Sequence, residues 1–200
     1  MKRITHWIDG EEWSADPERT GPVYDPATGQ VAGEVAMASV AEVDAAVEAA
    51  RKAFEEWRDV PVTRRQNVMF EFRRIVSDRR RQLAEVITSE HGKTVPDALG
   101  EVQRGLEVIE FACNIAHLVK GEYSEQVSTG VDTYTIRQPL GVVAGITPFN
   151  FPAMVPMWMY PLAIAAGNTF VLKPSEKDPS ASLLAAQWLA EAGLPPGVFN

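Results

Sequence analysis

Two uninterrupted apolar runs, Gly141-Val142-Val143-Ala144-Gly145-Ile146 and Thr169-Phe170-Val171-Leu172-Lys173, constrain this chain more than any other feature. Neither alternates polar with apolar, so neither reads as the half-solvated strand of an antiparallel sheet. Continuous apolar strands belong to parallel sheets covered on both faces, and parallel strands need a crossover, usually a helix. A helix over about 152–167 supplies it, and another over about 179–192 follows the second run. The grammar is β-α-β-α, a parallel sheet flanked by helices, and the fold class is α/β. Val198-Phe199-Asn200 has the look of a third strand beginning. Two complete parallel strands cannot cover their own faces, so the sequence reads as the N-terminal portion of a longer protein.

The residues before this unit follow another pattern. Ile4 to Trp13 carries a central Asp9-Gly10 hairpin signal, and Asp25-Pro26-Ala27-Thr28-Gly29 is turn chemistry between short β-like pieces. Ser39-Val40-Ala41-Glu42 has the form of a capping box, and Val43, Val47, Ala50, Phe54 and Trp57 follow it as one apolar stripe. A second helix starts at Pro61, with Val68, Phe72, Ile75 and Val76 on one side. A third carries Leu83, Val86 and Ile87 and stops near Gly92, and a fourth is expected over about Val95–Lys120. Glu125 to Arg137 reads as a hairpin, with Gly130-Val131-Asp132 at its turn.

Composition removes several functions. The chain has 200 residues and a net charge of −8, with no clustered basic face, which argues against nucleic acid as a partner. One cysteine, Cys113, excludes an internal disulfide. The longest apolar region, Phe149 to Gly167, is broken by Pro152, Pro156 and Pro161, so no membrane span is expected. With no signal-peptide pattern at Met1–Trp7, the expected location is cytoplasmic. His6, His91 and His117 are scattered, and no metal site is expected.

Ligands of open α/β sheets bind at the carboxyl ends of the strands. Ile146–Pro152 follows the first run and Lys173-Pro174-Ser175-Glu176-Lys177 includes the end of the second, so neighbouring strands would place the two loops side by side. Lys173 and Glu176 suit the hydroxyls of a ribose, and the carboxylate would repel a 2′-phosphate, favouring NAD over NADP. The other reading is that this segment merely begins the next helix. Asn150 stands between two phenylalanines, with prolines at 148 and 152. Either its carboxamide donates to a substrate oxygen as negative charge develops there, or it caps the helix that follows. Cys113 sits on an apolar helical stripe and reads as a core residue. Arg104 either pairs with Glu101 or Glu107 on its own helix or faces the cleft as a fork for a carboxylate.

Taken together, VYDPATGQVAGEV, EHGKT, GVVAGITPFNFP, AGNTFVLKPSEKDP and AEAGLPPGVFN, in that order, resemble the aldehyde dehydrogenase superfamily over nearly the whole chain. Phe149 in the Asn-Phe-Pro motif, MVPMWMYPLAIAAGNTF and QRGLEVIEFACNIAHLVKGE are most similar to its CoA-acylating methylmalonate-semialdehyde (malonate-semialdehyde) branch. The resemblance implies a Rossmann-like sheet with a protruding oligomerisation hairpin. Residues 1–122 would pack on the cofactor domain, 123–139 would form the arm, and 140–200 would be the first βαβα of the NAD-binding domain. It implies that Asn150 stabilises the oxyanion, that Thr147 and Phe149 contact the cofactor, that Lys173 and Glu176 hold the adenosine ribose with Lys177 adjoining, and that Arg104 holds a substrate carboxylate. NAD is the implied cofactor, CoA the co-substrate, and a homodimer or homotetramer the assembly. The family's nucleophilic cysteine, general-base glutamate and second cofactor turn correspond to sequence beyond residue 200, so these residues alone are expected to be inactive. Two rivals remain at this stage: a non-acylating aldehyde dehydrogenase with another substrate, and a truncated, non-catalytic assembly module.

Overall fold

The structure, a computed structural model, describes residues 2–200. Short strands open the chain: β1 (Lys2–Ile4), β2 (Trp7–Ile8) and β3 (Glu11–Glu12), then the longer β4 (Arg19–Asp25) and β5 (Gln30–Met37). β5 is the middle of a three-stranded sheet, parallel to β1 and antiparallel to β4. β2 and β3 form the expected hairpin, with positive φ at both Asp9 (54°) and Gly10 (84°). That pair of angles matches the twist of the flanking strands.

Helix α1 (Val40–Trp57) begins with the capping box, the Ser39 hydroxyl accepting from the Glu42 amide and the Glu42 carboxylate from the Ser39 amide. The face it buries keeps to the expected stripe at Ala50 and Trp57 and departs from it at the N-terminal end. Val43 and Val47 are exposed, while Ala46, Ala50 and Trp57 are buried. A helix lying this close to other backbone needs small side chains: Ala49 and Ala53 lie directly against Gly197. Helices α2 (Val62–Asp78) and α3 (Arg80–His91) match expectation, the latter closed by Gly92 at φ 85°.

Helix α4 (Val95–Ala112) is shorter than the sequence suggests, and a single further turn, α5 (Ile115–Leu118), follows it. Asn114 accounts for the break. Its side chain donates to the Glu110 carbonyl at 3.1 Å, the partner its own amide would take in a continuing helix, and that amide turns to Phe111 instead.

The hairpin β6 (Tyr123–Ser128) and β7 (Val131–Tyr134) projects from the body with every residue exposed. Asp132 pins its irregular strand, accepting from the Gln126 amide at 2.9 Å and the Tyr123 hydroxyl at 2.7 Å. At its base a side chain on Gly121 would overlap the Thr135 carbonyl oxygen.

The predicted βαβα unit follows as β8 (Val142–Ile146), α6 (Met154–Ala165), β9 (Thr169–Lys173) and α7 (Ser180–Glu191). β8 and β9 are parallel, and Phe199 bridges to Phe170 on the far side of β9, where the third strand was expected. Coverage of β8 is less complete than its apolar run implies, since Ala144 and Ile146 are exposed. Val143 packs against the core shared by α2, α3, α4, α6, β9 and α7. Tyr160 on α6 lies at the centre of that core, touching Phe72, Phe170 and Phe199, the last at 4.8 Å between ring centroids. Arg65 on α2 is buried and donates to the Ala165 carbonyl at 2.9 Å, placing a cation at the negative end of α6. Among the described residues no helix is long and apolar enough to cross a membrane.

Candidate active site at the ends of two parallel strands

Ile146 stands opposite Lys173 in the strand register, and the Thr147 amide donates to the Lys173 carbonyl at 3.1 Å. The two loops therefore leave the sheet at the same level. They are also tied by side chains: the Lys177 ammonium lies 4.2 Å from the centre of the Phe149 ring, a favourable cation–π distance. The His91 ring lies 6.4 Å from Phe149.

Asn150 is exposed, and among the described residues its carboxamide forms no hydrogen bond. It does not cap the next helix, whose first residue is Met154. That task falls to Glu101, a residue the sequence reading considered only as a partner for Arg104. Glu101 is 2% exposed, and one of its oxygens accepts from the Ala153 and Met154 amides at 2.9 and 3.1 Å. Its other oxygen accepts from Lys93 at 2.5 Å. Lys93 in turn donates to the Asn150 backbone carbonyl at 2.9 Å and lies over the Phe151 ring.

Lys173 and Glu176 form an ion pair of 3.1 Å on the open rim, with side chains 60% and 48% exposed. They precede α7, so the segment does not begin that helix. A backbone amide hydrogen bond, and then Lys173, hold the Glu176 carboxyl below its usual range, so it is an anion at neutral pH. Thr147 is buried, and its hydroxyl has no partner among the described residues. The exposed cation–anion pair fits a polyhydroxylated dinucleotide such as NAD, which offers both donors and acceptors.

Behind the second loop Asp178 is 2% exposed, and neither carboxyl oxygen has a hydrogen-bond partner. Burial pushes its pKa up to about 7; the nearby Ser175 hydroxyl opposes the shift in part, and the charges of Glu90 and Glu101 add to it. Burial also lowers the pKa of His91, with the Lys93 charge contributing.

Arg104 is exposed on α4 and pairs with neither Glu101 nor Glu107 among the described residues. Cys113 is buried, and desolvation pushes its thiol up to about 11, which leaves almost no thiolate at neutral pH. Sequence reasoning gave Lys93 and Asp178 no role and Glu101 only that of a partner for Arg104. Glu101 did carry a signal, because it shares the buried face of α4 with Ala98, Val102 and Gly105. A carboxylate on a buried face needs partners.

Comparison with known proteins is consistent across sequence and structure. The Aldehyde dehydrogenase family model matches residues 13–200. A malonate-semialdehyde dehydrogenase of Pseudomonas aeruginosa is 49% identical over 200 residues, covering 100% of this chain and 40% of that protein. The mitochondrial acylating methylmalonate-semialdehyde dehydrogenase of Arabidopsis thaliana is 50% identical, covering 99% of this chain and 33% of its own length. A crystal structure from Sinorhizobium meliloti 1021, complexed with NAD and provisionally assigned as a methylmalonate-semialdehyde dehydrogenase, has a TM-score of 0.97 at 48% identity. It covers 100% of this chain and 41% of that one. This chain thus spans well under half the length of the relatives it matches.

Proposed function

We propose, since this chain belongs to the aldehyde dehydrogenase family, that the whole protein oxidises malonate or methylmalonate semialdehyde with NAD. The acyl group passes to the thiol of CoA, and the carboxylate leaves as CO2, giving acetyl-CoA or propionyl-CoA. The observation that carries this reading is the free Asn150 carboxamide at the end of β8, beside the exposed Lys173–Glu176 pair at the end of β9. Identity near one half to semialdehyde dehydrogenases supports the substrate class.

Asn150 donates a side-chain N–H to the aldehyde oxygen as it becomes an alkoxide, the carbon being attacked by the thiolate of the family's nucleophilic cysteine, which corresponds to sequence beyond residue 200. A donor already carried at that place stabilises the charge with little reorganisation during the reaction. Lys173 and Glu176 hold ribose hydroxyls, Glu176 accepting and Lys173 donating. Thr147 and Phe149 line the site nearer the reacting carbon, and Lys177 steadies the Phe149 ring. NAD, when bound, accepts the hydride that leaves the aldehyde carbon. Arg104, unpaired among the described residues, offers two parallel donors to the substrate carboxylate.

The test is NADH formation by the full-length protein over a panel of aldehydes, with and without CoA. Strong, CoA-dependent turnover of the two semialdehydes supports the reading. CoA-independent turnover with a carboxylic acid product would make water the acyl acceptor instead.

A further inference from the structure

The loop that carries Asn150 is held from beneath by a buried ion pair. Lys93 directly follows Gly92, and its ammonium reaches three things at once: the Glu101 carboxylate at 2.5 Å, the Asn150 carbonyl at 2.9 Å and the face of the Phe151 ring at 4.5 Å. Glu101 holds the same loop from its other end through the Ala153 and Met154 amides. Those amides are the free donors at the start of α6, a helix with no side-chain cap of its own. Both side chains are shielded, at 11% and 1% exposure, so water does not compete strongly for either. The result is a clamp over residues 150–154 in which every contact falls on backbone or on Phe151, leaving the Asn150 carboxamide free.

We propose that Lys93 and Glu101 are positioning residues for the oxyanion donor, acting through the backbone of residues 150–154 and touching neither substrate nor cofactor. Neither residue entered the functional reading above, and the inference rests on that reading's assignment of Asn150. Without the clamp the loop keeps its sequence but loses the fixed placement of its amide. Misplacement by about 1 Å is enough to cost on the order of 10²-fold in rate.

Removing one partner alone would leave a buried charge unpaired and put folding at risk. The variant of choice is therefore Lys93→Met with Glu101→Gln, which removes both charges together and keeps an oxygen for the Ala153 and Met154 amides. In the full-length enzyme the readout is single-turnover NADH formation with methylmalonate semialdehyde, alongside KM for aldehyde and NAD and the melting temperature. We expect the rate to fall about 10- to 100-fold, with both KM values nearly unchanged and the protein still folded. Added to Asn150→Ala, the pair of substitutions should cause no further loss, because the amide they position is already gone. Glu101→Gln alone, isosteric with the native residue, is the second variant; it leaves the Lys93 ammonium without its anion, so its melting temperature is read beside its rate, which must fall in the same direction in the folded protein.

A normal rate in the double variant and in Glu101→Gln, with Asn150→Ala impaired, overturns the positioning role and leaves the Asn150 assignment standing. Losses that multiply in the triple variant overturn it too, since the pair would then act independently of Asn150. Full activity in Asn150→Ala overturns the assignment of the oxyanion donor, and the positioning role with it.

Discussion

A carboxyl group shut away from water without a partner keeps its proton to unusually high pH, and Asp178 is such a group. Around it stand Glu90 on α3, Glu101 on α4, and Lys93 and Ser175 in the adjoining loops. Its pKa is about 7 when folded and near 3.8 when unfolded. Between those values the native state binds the extra proton, so stability falls as pH rises through the window and levels off above it. Asp178→Asn cannot titrate. Relative to that variant, the native protein should lose melting temperature between pH 5 and pH 8, and parallel pH profiles would show that Asp178 is ionised throughout. Arg104 makes a second prediction at this scale. Arg104→Leu should raise KM roughly 10-fold or more for semialdehydes bearing a carboxylate, through loss of a charged hydrogen bond, and leave propanal unaffected. Equal effects on both substrates would remove the carboxylate fork.

Secondary-structure elements show what the sequence made legible and what it hid. The capping box at Ser39–Glu42, the Asp9-Gly10 turn and the Gly92 stop were all readable, because each is set by residues within a few positions of one another. The buried face of α1 was not. Periodicity starts the stripe at Val43 and Val47, and the close approach of Gly197, far along the chain, favours the alanine side instead. The Asn150 loop divides in the same way. Its place at a strand end follows from local pattern, whereas Lys93 and Glu101 reach it across 57 and 52 positions of sequence. The β6–β7 hairpin yields a prediction of its own. It exposes Tyr123, Val127, Val131 and Tyr134, and an isolated two-stranded hairpin is marginal in water unless something covers it. On the reading that this hairpin is the assembly arm, Gly121→Ala should force its base apart and shift the full-length protein toward smaller species in sedimentation velocity. An unchanged distribution would separate the hairpin from assembly.

At the scale of the whole molecule, one aromatic cluster ties the layers together, and Tyr160 is its hub. Its hydroxyl is buried with no partner among the described residues, and burial raises its pKa far out of reach. Tyr160→Phe removes only that oxygen and should stabilise the protein by about 1 kcal/mol in denaturant unfolding, since an unsatisfied buried hydroxyl is a net cost. A clear loss of stability would reveal a hidden partner for the oxygen. The matched departure of the two loops from β8 and β9 has a different kind of consequence. Main-chain pairing through Ile146, Thr147 and Lys173 sets the level at which both loops leave the sheet, so exposed side chains along either loop can diverge without moving their starting points. A lineage of such proteins can therefore vary what the loop tips present to solvent while the framework that aims them stays put.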